Sequence, residues 1–472
     1  MRAHPAGPRS NVSHAAGGPQ QPDTTEHSLE LEAGIWPQTA HRDPESGAIV
    51  VGGCDVRDLV TEFGSPIFAM DEADVRARMT GYREAFDDPA VPTLVYYAAK
   101  AFLSTEFARW VTQEGLRIDV CTAGELACAL RAGVPGSNLL MHGNNKSEFE
   151  LSLALEAGVG YIVVDSYEEI ARLGFLAERA GTRPKVLIRV TLGVEAHTHE
   201  FIATAHEDQK FGFSLASGAA TEAIERVLAL SENLELAGLH SHIGSQIFAS
   251  SGFEVAASRI VGLLADVRDQ HGIELPLLNL GGGLGIKYVH EDEPPNVAEM
   301  ADVLRGIVTT QCGRFGLSVP ELAFEPGRAI VGPSTMTVYT VGTVKPVALD
   351  GGTVRTYISV DGGMSDNIRT ALYDAEYTVT LASRHSAAPL TLCRVVGRHC
   401  ESGDIVVNDC WLPDDITAGD LLAVAATGAY NRSMASNYNL VPRPPVVAVR
   451  DEQASVLIRR ETIEDLFATD QG

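Results

Sequence analysis

Eight short apolar runs, each followed by a helical pattern, restrict the fold of this 472-residue chain more than any other feature. The runs are TLVYYAAKA (93–101), RIDV (117–120), LLMHG (139–143), YIVVDS (161–166), KVLIRV (185–190), AGLHSHIG (237–244), LLNLGGG (277–283) and ELAFEPGR (321–328). Between them, Thr122 with Glu125 and Ser166 with Glu169 fit helix capping boxes. Alternating strand and helix units imply parallel strands, and eight units within about 250 residues predict a (β/α)8 TIM-type barrel. A doubly wound open sheet is the alternative.

The sequence changes character after Arg328. Six β-rich runs separated by turn residues follow: TMTVYTVGTVKPV, TVRTYISVDGG, YTVTLAS, LTLCRVVG, DIVVND and LLAVAATGAY. They predict a C-terminal β domain of sandwich or barrel-like form, to which the N-terminal runs AIVVGG and PIFAMD are expected to add strands. The predicted division is a disordered tail at 1–30, an N-terminal segment joining the β domain at 31–70, the barrel at 71–335 and the β domain at 336–472.

Composition restricts the partners and the compartment. The formal net charge of −26 disfavours nucleic acid and anionic membrane surfaces. The chain contains no apolar stretch of about 18 residues, and its N-terminus does not resemble a signal peptide, so we expect a cytoplasmic protein without a membrane span. The seven cysteines are spread out and include no CxxC pair, which predicts neither a disulfide framework nor a zinc site.

Chemically unusual residues fall where the predicted barrel strands end. Lys100 ends the first run, His240 and His242 the sixth, the glycines 281–283 the seventh, and Glu325 with Arg328 the eighth. Because barrel enzymes carry their chemistry at the C-terminal ends of the strands, these residues are expected to meet at one mouth.

A lysine, a glycine loop and an acid at one mouth suggest pyridoxal phosphate. Its aldehyde reacts with a lysine amine, and its ring nitrogen needs a protein partner, for which we assign Glu325. The three glycines offer backbone N–H groups to the phosphate. A carboxylate at the ring nitrogen favours reactions that form a carbanion, decarboxylation among them.

Each of these residues also has a simpler interpretation. Lys100 could be a cation that extends to solvent at a strand end, Glu325 a salt-bridge partner of Arg328, and the triple glycine a tight packing turn. The pair His240 and His242 could instead bind a divalent metal, as in metal-dependent barrel hydrolases. The histidines at 197, 199 and 206 are interpreted as part of a loop after the fifth strand, and we expect no metal site.

Six motifs resemble one known family. YYAAKAF, GLHSHIGSQIF, NLGGGLGI, FEPGRAIVG, CESGD and GAYN occur in that order and with family-like spacing over about residues 35 to 465. They are similar to those of the group IV, alanine-racemase-fold pyridoxal phosphate decarboxylases. One departure is Thr370, which stands where members of that family often have proline and predicts a less rigid loop.

The resemblance implies a role for each matching residue. It implies that Lys100 carries the cofactor, that His242 stacks on its ring, and that Cys400 donates the proton from the partner subunit of a homodimer with shared active sites. The residues implied to hold the phosphate or the ring are Ser245, Gly281, Gly282, Gly283, Glu325, Pro326, Gly327, Arg328 and Tyr430. The residues implied to bind substrate are Arg328, Arg369, Tyr373, Glu401 and Tyr430. Cys400 could alternatively be a buried apolar thiol.

The implied substrate-binding residues favour meso-2,6-diaminopimelate, whose far end carries a carboxylate as well as an ammonium group. Arginine binds a carboxylate through a planar fork, so Arg328 and Arg369 beside Glu401 can pair with both charges. The expected reaction yields L-lysine and carbon dioxide, the last step of lysine synthesis. Decarboxylation of ornithine, arginine or lysine, a metal-dependent hydrolase, and a non-catalytic binding homologue remain as alternatives.

Overall fold

The computed structural model describes residues 31–194, 210–349 and 354–472. The tail at 1–30 and the histidines at 197, 199 and 206 lie outside these residues. The chain divides into two compact units. The barrel unit comprises Arg76–Gly285 and Glu293–Ile330, and the β unit comprises Met1–Val75, Ile286–Asp292 and Val331–Gly472.

Eight parallel strands form the closed sheet of the barrel unit. In chain order they are β1 Thr93–Ala98, β2 Arg117–Val120, β3 Leu139–Met141, β4 Tyr161–Val164, β5 Lys185–Thr191, β6 Glu235–His240, β7 Leu277–Asn279 and β8 Glu321–Phe324. The sheet closes where β8 pairs with β1, Leu322 lying opposite Thr93. The short strand Phe213–Ser214 pairs with β5 as an addition to the barrel. The predicted (β/α)8 barrel is confirmed, and the open sheet was wrong.

Helices alternate with these strands. They are α1 Thr105–Gln113, α2 Ala123–Arg131, α3 Glu148–Glu156, α4 Tyr167–Ala180, α5 Ala219–Ala229, α6 Ser251–His271 and α7 Val297–Phe315. The other helices among the described residues are Val56–Phe63, Glu72–Ala85, Arg328–Val331, Arg369–Tyr373 and Ile463–Phe467. Single 3-10 turns occupy Ala99–Ala101, Gly136–Asn138, Arg432–Met434 and Tyr438–Leu440. No helix in the described ranges is long and apolar enough to span a membrane.

Helix starts follow the capping signals only in part. The side chains of Thr122 and Ser166 each accept a hydrogen bond from the backbone N–H three residues on, as predicted. The reciprocal bonds to the capping residues were predicted wrongly. Glu125 accepts from the backbone of Cys121 at 2.7 Å, and Glu169 accepts from the buried Lys146 ammonium at 2.6 Å. The other oxygen of Glu169 accepts from the backbone N–H of Asp165 at 3.3 Å, so both acids bond the backbone of the residue before the predicted capping residue.

The interior of the barrel unit is packed with side chains. One buried cluster contains a residue from each of seven strands: Tyr96, Leu140, Val163, Leu187, Ala237, Leu277 and Ala323. Each lies at a position that points inward along its strand, because successive side chains alternate between the two faces. The filled interior leaves the chemistry to the strand ends.

The β unit is built around the long strand Thr335–Ala348. This strand pairs with Val354–Val360, Leu421–Val424 and Ile67–Asp71, so the N-terminal segment does contribute to the C-terminal sheet. The same sheet system contains Val379–Leu381, Leu390–Val396, Ile405–Pro413, Val446–Arg450 and Gln453–Ile458, and a separate small sheet contains His41–Arg42, Ile49–Val51 and Cys54–Asp55. All six predicted C-terminal runs contain a strand. The hairpin at 446–458 was not predicted.

Candidate active site

Lys100 lies just past the end of β1, in the 3-10 turn Ala99–Ala101. The strand residues before it are buried, whereas Lys100 itself is exposed. Its positive charge acts on Asp119, Cys121 and His242, which come from the ends of β2 and β6. The lysine amine is therefore accessible and directed towards the residues at neighbouring strand ends.

Glu325 follows β8 and is only 6% exposed. Its Oε1 lies 2.8 Å from His142 Nε2 and accepts a hydrogen bond from Asn279 Nδ2 at 2.7 Å. Its Oε2 lies 3.5 Å from His240 Nε2. These neighbours follow or end three other strands, β3, β7 and β6, so the acid is held by contacts that the closed barrel brings together.

We call Glu325, Asp119, His142, Asn279 and His240 the Glu325 cluster. Burial and nearby charges determine which of its titratable groups are protonated. Burial alone would raise the pKa of Glu325, but the neighbouring His142 and His240 lower that pKa well below its usual range. Burial lowers the pKa of His240 to about 4, which leaves its imidazole neutral near pH 7. Burial, opposed by the attraction of His142, raises the pKa of Asp119 to about 7. The negative charge of the cluster therefore resides on Glu325.

His242 and the glycine turn lie side by side. The backbone N–H of Gly282 approaches His242 Nδ1 at 3.4 Å. Burial and the positive charges of Lys100 and Arg189 lower the pKa of His242 well below its usual value, so its imidazole is neutral. A neutral, partly buried imidazole beside the lysine is suited to stack on an aromatic ring.

The glycine turn is also the tight packing turn of the simpler interpretation, because the surrounding atoms leave no room for side chains. A Cβ at Gly282 would lie 2.0 Å from the backbone oxygen of Glu325, and a Cβ at Gly283 would lie 2.2 Å from that of Gly244. Gly281 has φ of +68° and donates its N–H to Asn279 Oδ1 at 2.8 Å. Close packing therefore requires these glycines whether or not the turn also binds a phosphate.

Arg328 and Ser245 meet at the same end of the barrel unit, where the arginine Nη2 donates to Ser245 Oγ at 2.9 Å. The turn before Arg328 is tightly fitted. The carbonyl of Pro326 accepts from the backbone of Ala98 at 3.1 Å, and a Cβ at Gly327 would lie 3.0 Å from the Cβ of Ala98. This turn is thus fixed directly against the end of β1, two residues before Lys100.

The other predicted site residues belong to the β unit. Arg369 is 7% exposed and donates to the hydroxyls of Tyr288 at 2.9 Å and Tyr377 at 2.6 Å. Tyr373 and Cys400 are exposed, so Cys400 is not the buried thiol of the alternative interpretation.

The segments that carry these residues are fixed by local contacts. Glu401 Oε1 accepts from the backbone of Gly403 at 3.2 Å, and Tyr430 has a φ of +63°, in the left-handed region. Thr370, in the place of a common proline, donates its hydroxyl to the carbonyl of Val406 at 2.7 Å. That bond restrains the helix Arg369–Tyr373 by a means other than a proline ring.

Three residues of the cluster were missed from the sequence: Asp119, His142 and Asn279. His142 and Asn279 lie at or just after the ends of the strands in LLMHG and LLNLGGG, and Asp119 is the penultimate residue of RIDV. The strand-end criterion that selected Lys100 and Glu325 would therefore have selected these residues as well.

The metal interpretation needs a different set of residues from the predicted pair. Among the described residues, a group of three with atoms suited to a metal ion contains His142, His240 and Glu325, within 4.8 Å of one another, and His242 is not in it. Within this group the imidazole of His142 is already hydrogen-bonded to the carboxylate of Glu325. One oxygen of the carboxylate is thus already occupied by protein donors.

The residues present fit pyridoxal phosphate. An accessible amine, a buried ionised carboxylate and a neutral imidazole stand at neighbouring strand ends, with a turn of closely packed glycines between two of them. Lys100 would react with the aldehyde, and Glu325 would accept a hydrogen bond from the ring nitrogen.

Comparison with known proteins supports this fit. Residues 72–332 match the family described as "Pyridoxal-dependent decarboxylase, pyridoxal binding domain". A diaminopimelate decarboxylase of Mycobacterium leprae is 53% identical, covering 99% of both chains, and one of Bacillus subtilis is 44% identical, covering 91% of this chain and 96% of its own. The crystal structure of diaminopimelate decarboxylase from M. jannaschii in complex with L-lysine superposes with a TM-score of 0.85 at 30% identity, covering 92% of this chain and 98% of its own. The chain belongs to the diaminopimelate decarboxylase family of pyridoxal-dependent decarboxylases.

Proposed function

We propose that this protein decarboxylates meso-2,6-diaminopimelate to L-lysine and carbon dioxide, with pyridoxal phosphate bound at Lys100, and so completes lysine synthesis. The observation that carries the proposal is the buried, ionised Glu325 at a strand end near that of Lys100, in a chain 53% identical over almost its whole length to a diaminopimelate decarboxylase. When bound, the cofactor supplies an electron sink for the charge left on the α-carbon as carbon dioxide departs.

The residues of the barrel unit bind and orient the cofactor. Lys100 holds it through the amine, and Glu325 keeps the ring nitrogen protonated. His242 covers one face of the ring. We assign the remaining contacts to phosphate and ring to the turns at 281–283 and 325–328 and to Ser245, with Tyr430 from the β unit. Arg328 and Ser245 support this assignment because their side chains are already hydrogen-bonded to each other.

The residues of the β unit bind substrate and return a proton. In this proposal Arg369 and Glu401 pair with the carboxylate and the ammonium group at the far end of diaminopimelate, with Arg328, Tyr373 and Tyr430 also in contact. Cys400 of the partner subunit donates a proton to the α-carbon. In the proposed homodimer with shared active sites, Cys400 and Tyr373 are exposed and so accessible to a partner subunit or substrate.

Two further expectations belong to the proposal. The acidic net charge of −26 supports action in the cytoplasm on a small molecule, without nucleic acid or membrane as partner. The boundaries 31–70, 71–335 and 336–472 are proposed as the functional division of the chain.

The test compares carbon dioxide release from meso-diaminopimelate, lysine, ornithine and arginine. We expect diaminopimelate to be turned over about 5- to 150-fold faster than the other three, because they lack the far carboxylate and leave arginine unpaired at a cost of roughly 1 to 3 kcal/mol. Preference for ornithine, arginine or lysine would overturn the substrate assignment.

A second measurement separates the remaining alternatives. Borohydride should bleach the visible absorbance of the lysine-bound cofactor and label the peptide containing Lys100, whereas Lys100→Ala should show neither effect. Labelling without any turnover would indicate a binding homologue. Absence of the band, with a hydrolase activity that a chelator removes, would indicate the metal enzyme.

A further inference from the structure

The two oxygens of the Glu325 carboxylate have different surroundings. Oε1 is contacted by His142 Nε2 at 2.8 Å and by Asn279 Nδ2 at 2.7 Å. Oε2 has His240 Nε2 at 3.5 Å, beyond ordinary hydrogen-bond distance. In the described part of the chain, neither ring nitrogen of His240 has a hydrogen-bond partner, although both are buried. One oxygen is therefore held by two donors, and the other retains accepting capacity.

His142 is itself held in place from two sides. Its backbone N–H donates to the carbonyl of Val120 at 2.8 Å, and its ring packs edge-on against His240 with 4.7 Å between centroids. An ionised carboxylate only accepts hydrogen bonds, so His142 Nε2 carries the hydrogen in this contact. The imidazole is thus oriented as a fixed donor to Oε1.

We propose that His142 is a positioning residue which, together with Asn279, fixes the Glu325 carboxylate so that Oε2 is presented to the ring nitrogen of the cofactor. The inference rests on the proposed function, in which Glu325 is the partner of that nitrogen. His142 touches neither the substrate nor the cofactor in this scheme and acts only through Glu325. No role was assigned to it from the sequence motifs.

Electrostatics agree with the geometry. Burial by itself would raise the pKa of Glu325 and favour the neutral acid, which would not keep a ring nitrogen protonated. The hydrogen bond from His142 opposes that effect, and the pKa of Glu325 lies well below its usual range. A carboxylate that is both oriented and ionised is what the ring nitrogen requires.

The test replaces the donor and then restores it. His142→Leu removes the hydrogen-bond donor at similar volume, whereas His142→Gln provides an amide nitrogen that can take the place of Nε2. We expect the Leu variant to bind the cofactor about tenfold more weakly or worse, measured by equilibrium dialysis, with an altered visible absorbance maximum. Its kcat should fall while its KM for diaminopimelate stays nearly constant. The Gln variant should recover most of each loss, and the exposed His271→Leu should show none.

A double-mutant cycle with Glu325→Gln identifies the residue through which His142 acts. The amide introduced by Glu325→Gln carries no charge to be oriented, so His142→Leu should change cofactor binding and kcat by less than about twofold in that background. An equal loss in both backgrounds, or a wild-type spectrum for His142→Leu, would overturn the inference. If His142→Leu does not fold, His142→Asn, whose amide is too short to reach Oε1, replaces it. Failure of the proposed function is distinct, because the unmutated protein would then show no labelling of Lys100, or labelling without turnover of diaminopimelate.

Discussion

At the scale of single residues, buried charge explains how the site is built. A buried carboxylate is costly unless it is hydrogen-bonded, and Glu325 accepts hydrogen bonds from His142 and Asn279. The sequence predicted Glu325 because an acid after an apolar strand is unusual. It did not predict the partners, because their contacts depend on the register of three other strands.

Arg369 shows a second limit of residue-level prediction. The resemblance assigned it to substrate, but nothing in the sequence indicated that Tyr288, more than eighty residues earlier, would accept a hydrogen bond from it and lie under its guanidinium at 5.1 Å. The two tyrosines fix the guanidinium plane, which is suited to bidentate binding of a carboxylate.

Replacing that plane by a point charge tests the assigned role. Arg369→Lys keeps the positive charge but loses the fork, so kcat/KM for diaminopimelate should fall about 10- to 100-fold while cofactor affinity stays unchanged. Steady-state kinetics and cofactor dialysis measure the two effects. Tyr377→Phe, which removes one hydroxyl around Arg369 and leaves the guanidinium, should lose less than about threefold. If both variants lose the same amount, or neither loses any, Arg369 has a structural role only.

At the scale of elements, the spacing of apolar residues and the turn-forming residues between the runs predicted the strands and turns well. Every predicted barrel run contains a strand, but six of the eight strands end earlier than their runs, so that Lys100, His242 and the glycines 281–283 lie in the turns that follow. Strand ends are set by where neighbouring strands stop pairing, and a single run does not contain that information. The capping bond predicted for Glu169 was wrong because its carboxylate accepts from the Lys146 side chain and from the backbone of Asp165 instead.

The turn after β7 provides an element-scale prediction. Gly282→Ala should destabilise the protein by more than about 2 kcal/mol, because its Cβ would meet the carbonyl of Glu325 at 2.0 Å and separate two adjacent strand ends. Gly306→Ala is the matched control, since this exposed glycine of α7 has nothing within 4 Å of its Cβ position. That change should stabilise the helix by about 0.5 to 1 kcal/mol. Urea unfolding followed by circular dichroism measures both, and a neutral Gly282→Ala would contradict the packing argument.

At the scale of the whole molecule, the change of sequence pattern after Arg328 indicated two units but not the chemistry inside the β unit. Asp366 is buried there, accepts from the hydroxyl of Tyr339 at 2.5 Å and from the backbone of Gly363 at 2.9 Å, and has a pKa raised to about 7 by burial. Alternating β patterns mark which positions face inward. They do not indicate that an inward position carries an acid.

This acid makes stability depend on pH. Its usual pKa is 3.8, so between about pH 4 and pH 7 the folded state binds more protons than the unfolded state, and the free energy of unfolding falls as pH rises. The loss across this window is at most about 4 kcal/mol. Asp366→Asn keeps an acceptor for Tyr339 and removes the titration. The free energy of unfolding of the variant, relative to wild type, should therefore be larger at pH 8 than at pH 4. Urea unfolding of both proteins at pH 4 and pH 8 measures this difference. An equal change in the free energy of unfolding of the two proteins between these pH values would contradict the raised pKa of Asp366.

The shared active site is a prediction about the assembled molecule. If Lys100 and Cys400 act from different subunits, Lys100→Ala and Cys400→Ala are each inactive alone, but a mixed dimer contains one site with both residues intact. Random exchange of an equal mixture should then restore about a quarter of the wild-type activity, since half of the dimers are mixed and each has one complete site. Each variant carries a different affinity tag, and purification on both tags in succession shows that mixed dimers have formed. A mixture of Lys100→Ala with Glu325→Gln is the matched control and should gain nothing, because both residues belong to one barrel unit and no mixed dimer then has a complete barrel site. Proven exchange without recovery in the first mixture would show that Cys400 does not act across the dimer.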